Sequence, residues 1–258
     1  MLLRDKVVVV SGIGPGLGQA IAVQSAKAGA KVVLASRTEK RLRKVAAVIE
    51  ELGGSALVVP TDITDDAAAQ ELVRATQEEF GRVDALVNNA FAMPPMADLA
   101  DVAIDDLRAS FDTNVFAALR LTRLFAPALA ERNGSVVMIN SAVLRHSRQP
   151  YGPYKMAKTT LLALAQSLAT ELGPRGIRVN SVAPGWIWAD TLKWYFDYLA
   201  TERGVTAAEV YTETAADIDL RRLPEPDEIA DAVVFFASEM SRAITGTCLD
   251  VNCGEFHH

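Results

Sequence analysis

Tyr154 and Lys158 stand four residues apart at the head of the run Thr159-Thr160-Leu161-Leu162-Ala163-Leu164-Ala165. That run predicts a helix, and residues four apart on a helix share one face. An ammonium held beside a phenol favours the phenolate and lowers its pKa from about 10. The pair would then serve as a general acid/base near neutral pH. Tyrosine and lysine also meet at this spacing by chance, so the pair gains meaning only from other residues.

The first of these is the segment Ser11-Gly12-Ile13-Gly14-Pro15-Gly16-Leu17-Gly18. It follows an apolar strand-like run and opens a helical one. Backbone N–H groups at such a turn, with the positive end of the helix dipole, form an anion site that glycine lets a phosphate approach closely. The spacing is Ser-Gly-x-x-x-Gly-x-Gly, not G-x-G-x-x-G, and Pro15 removes one backbone donor. Placed at the first strand of an alternating pattern, the turn predicts a dinucleotide site. The second strand ends Ser36-Arg37-Thr38, with no acidic residue before Glu39. A carboxylate there would bond the adenosine ribose and favour NAD, whereas a guanidinium suits the 2′-phosphate of NADP. The expectation is NADP, with NAD as the alternative. The cluster Lys40-Arg41-Leu42-Arg43-Lys44 reads as a solvated helix face.

The elements that must position these groups alternate. Lys6–Ser11, Lys31–Ser36, Ala56–Pro60, Ala85–Asn89, Gly134–Ser141, Ile177–Val182 and Cys248–Val251 read as strands. Their near-continuous Val/Ile/Leu content suits a parallel sheet covered on both faces. Helical patterns fall at about 17–29, 38–52, 66–80, 104–131, 155–172 and 226–238. The alternation predicts an α/β fold, a single Rossmann-type doubly wound sheet of about seven strands in one domain. From Trp186 to Pro224 the rhythm breaks into an aromatic stretch holding Trp186, Trp188, Trp194, Tyr195, Phe196, Tyr198 and Tyr211. A long insertion of this kind between core elements points to function.

Composition narrows the classes. The 258 residues are 50% hydrophobic and 22% charged, with a formal net charge of -6 and no long basic run. Nucleic-acid binding as a main function is excluded, because neutralising phosphates needs clustered Lys/Arg. No apolar stretch reaches the ~20 residues that span a bilayer. The start, Met1-Leu2-Leu3-Arg4-Asp5-Lys6, lacks a signal-peptide layout. Cys248 and Cys253 are too few for a disulfide framework or a Cys-rich metal site. A cytoplasmic protein with reduced thiols and no metal is expected.

Together the glycine pattern and Tyr154/Lys158 resemble the short-chain dehydrogenase/reductase family, and further landmarks keep the family's order. Asp62 in Thr61-Asp62-Ile63, Asn88-Asn89-Ala90 after the fourth strand, Asn114 in the next helix, Ser141 closing the fifth strand and Pro184-Gly185 after the sixth all match. The resemblance runs from Lys6 to about Gly254. Each match also has a plain structural role open to it, as turn, strand end or polar helix position. Three departures stand out: Phe91 follows Asn-Asn-Ala in place of glycine, Ser11 replaces threonine, and Asn252-Cys253-Gly254 replaces Asp-Gly-Gly.

The resemblance implies reversible hydride transfer between nicotinamide and a secondary alcohol or ketone. It makes Tyr154 the proton donor and acceptor, and Lys158 the group that lowers its pKa and bonds the nicotinamide ribose. Ser141 would bond the substrate oxygen, and Asn114 would hold a water linking Lys158 to solvent. It assigns cofactor contacts to Ser11, Gly12, Gly16, Leu17, Gly18, Ser36, Arg37, Asp62, Ile63, Asn88, Ala90, Tyr154, Lys158, Pro184, Gly185 and Ile187. The 186–224 segment takes the place of the family's substrate lid. Its aromatics, with Phe91, Met93, Met96 and His146, suggest an apolar or aromatic substrate touching Phe91, His146, Trp186 and Trp194; packing within the lid or at a subunit contact accounts for them equally. Family members form homotetramers (or homodimers) through helices matching 104–131 and 155–172. The competing readings are an NAD(H)-dependent alcohol dehydrogenase of the same family and a non-catalytic dinucleotide-binding regulator, which would have no need of Ser141, Tyr154 and Lys158 together.

Overall fold

In the computed structural model, which describes residues 1–257, seven parallel strands form one sheet in the order β3-β2-β1-β4-β5-β6-β7. They are β1 (Val7–Ser11), β2 (Lys31–Ser36), β3 (Ser55–Pro60), β4 (Ala85–Asn88), β5 (Ser135–Ile139), β6 (Arg178–Pro184) and β7 (Cys248–Val251). The helices are α1 (Leu17–Lys27), α2 (Glu39–Glu51), α3 (Asp66–Phe80), α4 (Ile104–Phe111), α5 (Ala117–Ala130), α6 (Gly152–Leu172), α7 (Asp190–Arg203), α8 (Ala207–Ala216) and α9 (Pro226–Ala237).

The valine run of β1 shows why the sheet is covered on both sides. Val8 and Val10 join a core with Ile21, Leu34, Leu42, Ile49 and Val233, under α1, α2 and α9. Val7 and Val9 turn the other way, to Leu72, Leu121, Phe125 and Leu168 under α3, α5 and α6. Side chains alternate across a strand, so an unbroken apolar run has no solvent face to offer.

The strand order reverses between β1 and β4, where Ser11 lies opposite Asn88. Chain leaving β1 turns toward one side of the sheet and chain leaving β4 toward the other. The crevice between them at the carboxyl ends is where open α/β sheets take ligands.

Two stretches differ from the sequence expectation. The single helix expected over 104–131 is α4 and α5 joined through a π-helical turn at Asp112–Phe116. The apolar spacing continues across that turn, so periodicity does not mark it. The 186–224 stretch, in which no helix is predicted, contains α7 and α8. They close a small core of Phe196, Ala200, Val210, Ala215, Ile218 and Leu223 with Trp186 and Trp188 packed against it. Local signals were present: Gly204 ends α7 in the left-handed conformation at φ 66, and Thr206 and Glu209 form a reciprocal capping box at the start of α8.

Candidate active site

The switch-point crevice is a cleft of about 500 Å³. Its floor is the turn after β1. Gly12 has φ +86, and a Cβ there would come within 2.3 Å of the Ala90 Cα. A Cβ on Gly18 would come within 2.3 Å of the Gly12 carbonyl oxygen. Only glycine lets the β1 turn, the start of α1 and the β4 loop approach this closely. Asn89 fixes the approach by donating from Nδ2 to the Gly12 oxygen at 2.6 Å. The Gln19 and Ala20 amides bond back to the Gly14 and Gly16 carbonyls, which leaves the Leu17 and Gly18 amides at the open helix end.

At the β2 end the cleft is lined by Ser36, Arg37, Thr38 and Arg41. The Ser36 hydroxyl is buried with no partner among the described residues. Asp62, across from them, accepts from the Thr64 N–H (2.9 Å) and hydroxyl (2.6 Å). These bonds, and to a lesser degree the nearby Arg37 charge, hold its carboxyl below the usual range.

At the other end lie Ser141, Tyr154 and Lys158. Ser141 follows β5, and its Oγ accepts from the Val143 N–H at 3.2 Å. Tyr154 and Lys158 sit on the first turns of α6, which carries Pro153 near its start. Lys158 is 4% exposed and donates from Nζ to the Ile139 carbonyl at 2.8 Å. Its ammonium stands 5.5 Å from the Phe91 ring centroid and 5.9 Å from that of Tyr154. Burial holds the Lys158 pKa down to about 8. The expected lowering of the Tyr154 pKa is not what the fold produces. Burial pushes the phenol above its ordinary value; a hydrogen bond with Ser141 pulls it back, and Tyr151 adds to the rise. Spacing predicted the shared helix face but not the cost of burying both groups.

The structure brings Gly12, Leu17, Gly18, Ser36, Arg37, Asp62, Ile63, Ala90, Phe91, Ser141, Tyr154, Lys158, Pro184, Gly185 and Ile187 together around this cleft. Others lie behind it. Ser11 donates to the Val87 carbonyl and ties two strands. Asn88 donates to Thr122 and the Met138 sulfur. Gly16, at φ +88, turns the chain into α1. Asn114 lies in the π-helical turn, donating to the carbonyls of Ala92 (2.8 Å) and Ser110 (2.9 Å) and accepting from the Ala92 N–H. It therefore pins the loop after Phe91. Trp186 packs 6.4 Å from Phe196 inside the α7–α8 core. Trp194 is 68% exposed and stacks on Tyr198. His146 sits between Tyr151 and Phe256.

Arg41, Asn89 and Asn140 also line the cleft although no contact is predicted for them; Asn89 stands within the Asn88-Asn89-Ala90 landmark. Arg41 reads from sequence as part of the charged face of α2, four residues beyond Arg37. Asn140 lines the cleft, is 3% exposed, and has no partner for either side-chain atom among the described residues. Its place beside Ser141 was the only available signal.

Comparison with known proteins agrees with this geometry. The family model described as enoyl-(acyl carrier protein) reductase matches residues 12–255. The L-rhamnose 1-dehydrogenase (NAD(P)(+)) of Azotobacter vinelandii is 35% identical, covering 99% of this chain and 98% of that protein. The solved 7 alpha-hydroxysteroid dehydrogenase complexed with NADH and 7-oxo glycochenodeoxycholic acid, an enzyme also known from Escherichia coli, superposes with TM-score 0.87 at 30% identity, over 98% of this chain and 94% of that one. L-Sorbose reductase from Gluconobacter frateurii, complexed with NADPH and L-sorbose, superposes with TM-score 0.92 at 28% identity over all of both chains.

Proposed function

This chain belongs to the short-chain dehydrogenase/reductase family, and on that premise we propose that it is an NADP(H)-dependent enzyme interconverting a secondary alcohol and a ketone. Oxidoreductase action on CH–OH and C=O groups follows from the family; the nucleotide and the substrate are our reading. The observation that carries the NADP assignment is the β2 end of the cleft. Two guanidiniums, Arg37 and Arg41, line it beside an unpartnered Ser36 hydroxyl, and β2 ends without a carboxylate. The Leu17 and Gly18 amides left at the open end of α1, on a turn whose glycines bring the backbone close, suit a pyrophosphate.

When bound, the nicotinamide supplies or takes the hydride. Tyr154 donates a proton to the carbonyl oxygen in reduction and accepts it in oxidation. Its raised pKa keeps it protonated and ready to donate at neutral pH. Ser141 bonds the same oxygen as charge develops there. Lys158, with its pKa near 8, is mostly charged at neutral pH and offers a donor beside Tyr154. Asn114 acts by holding the Ala92 loop, and with it Phe91, against Tyr154.

Phe91, 47% exposed and 5.8 Å from the Tyr154 ring, supports an apolar body for the substrate on that wall. We place α7 and α8 as the lid over it. Exposed Phe116 on the π-helical turn and Met156 on α6 support pairing of copies through these helices, as a homotetramer or homodimer.

Calorimetric titration of the purified protein with NADPH and with NADH tests the cofactor. NADPH binding more than about tenfold tighter, or 1.4 kcal/mol, is expected. Equal binding, or a preference for NADH, overturns the assignment.

A further inference from the structure

Beside Gly185 the C-terminal segment brings a carboxyl group up to the cleft. The Glu255 Oε2 lies so close to Gly185 that a Cβ there would meet it at 2.2 Å. Gly185 lines the cleft, so the carboxyl group sits against its wall. The one hydrogen bond Glu255 receives among the described residues comes from the Trp186 N–H, at 3.4 Å, near the limit for such a bond. No cation is paired with it among the described residues; Arg148 acts on it only at a distance, its guanidinium standing over the Phe256 ring. Burial lifts the carboxyl pKa above its ordinary value. A half-buried carboxyl group held by one weak donor is left under-satisfied.

Other polar side chains stand near it. Tyr151, at the start of α6, feels Glu255 and Tyr195 of α7, and in turn raises Tyr154. His146 packs edge-on to Tyr151 at 5.6 Å and against Phe256 at 5.1 Å, and its Nδ1 is buried without a partner among the described residues. Glu255, Tyr195 and the His146–Tyr151 segment thus bring hydrogen-bonding groups into one neighbourhood beside the cleft-lining Gly185.

We propose that Glu255, with Tyr151 beside it, is a specificity-determining group that accepts a hydrogen bond from a second hydroxyl of the substrate, so that hydroxyketones are preferred over the matching simple ketones. This rests on the ketone/alcohol reading above and narrows its substrate class. A hydroxyl fits better than an ammonium group, because Arg148 and Lys155 already place positive charge near His146. A site built to hydrogen-bond a substrate hydroxyl discriminates strongly against the analogue that lacks it, because its own polar group is then left unpaired.

The test uses the full-length enzyme with NADPH and with NADH, and compares cyclohexanone with 2-, 3- and 4-hydroxycyclohexanone and with 4-aminocyclohexanone. The wild type is expected to show kcat/KM at least tenfold higher for one hydroxyketone than for cyclohexanone. Glu255→Leu is expected to lose at least tenfold on that hydroxyketone and much less on cyclohexanone, with Glu255→Gln recovering part of the difference. Tyr151→Phe probes the same wall should the leucine variant not fold, and is expected to shrink the preference several-fold. Equal loss on both ketones in the variants, no hydroxyketone preference in the wild type, or a preference for the amino ketone each overturns the proposal. Turnover of simple ketones without the preference sinks this proposal alone. No turnover of any of these compounds with either nucleotide removes the parent reading as well.

Discussion

Replacing Lys158 by methionine should destroy activity and stabilise the nucleotide-free protein. The ammonium is buried, and its pKa is held at about 8 against an ordinary 10.5. That gap is worth roughly 3 kcal/mol at about 1.4 kcal/mol per pKa unit, charged against the folded state whenever the group is protonated. Methionine has a similar length and no charge. It forfeits the bond from Nζ to the Ile139 carbonyl, about 1–1.5 kcal/mol net. A gain of about 1–2 kcal/mol remains, or about 3–6 °C in Tm for a chain of this size. The pH dependence identifies the cause. Below pH 8 both folded and unfolded states hold the proton, and the wild type carries the full penalty. Between about 8 and 10.5 the unfolded state binds more protons, so wild-type stability rises with pH. The advantage of Lys158→Met should therefore be largest at pH 7 and shrink by pH 10. Urea unfolding of both proteins at the two pH values, without nucleotide, measures it. A variant no more stable than the wild type at pH 7, or an advantage that stays constant to pH 10, would refute the argument that burial of this charge is an energetic cost kept for function.

Tyr154→Phe should abolish turnover while nucleotide affinity, read by calorimetry, changes less than about threefold; measurable turnover in that variant removes the phenol from the chemistry. Arg37→Ala and Arg41→Ala should each weaken NADPH binding by about 1–2 kcal/mol and leave NADH binding nearly unchanged, in keeping with loss of a charge-assisted bond; an equal effect on both nucleotides takes that arginine out of the phosphate site. Gly12→Ala should cost several kcal/mol of stability, because its Cβ would meet the Ala90 backbone at 2.3 Å and its φ is +86; an unchanged urea midpoint would contradict this. Because burial raises the Tyr154 pKa, alcohol oxidation should keep accelerating into the alkaline range while ketone reduction stays flat across neutral pH; a reduction rate that falls off below neutrality would speak against it.

How far the sequence alone reached can be followed through individual residues. The valine run of β1 could only be a strand buried on both faces, and six of the helical patterns could only lie against such a sheet. The glycines at 12, 16 and 18 announced a turn that no larger residue permits, and the spacing of Tyr154 and Lys158 fixed their shared helix face. These are local facts, set by period, propensity and steric limits within a few residues. Through the family resemblance they located most of the cleft. The tertiary structure decided what depends on groups distant in the chain. Arg41 became a cleft residue because β2 ends beside the β1 turn, and Trp186 joined a core of its own because α7 and α8 fold back on it. The direction of the Tyr154 pKa was set by burial, which no spacing encodes. Glu255 met Gly185 across 70 residues of chain because β6 and β7 are neighbours in the sheet. Periodicity carries information over the length of one element; proton affinity and substrate contact depend on what the completed fold packs around a group.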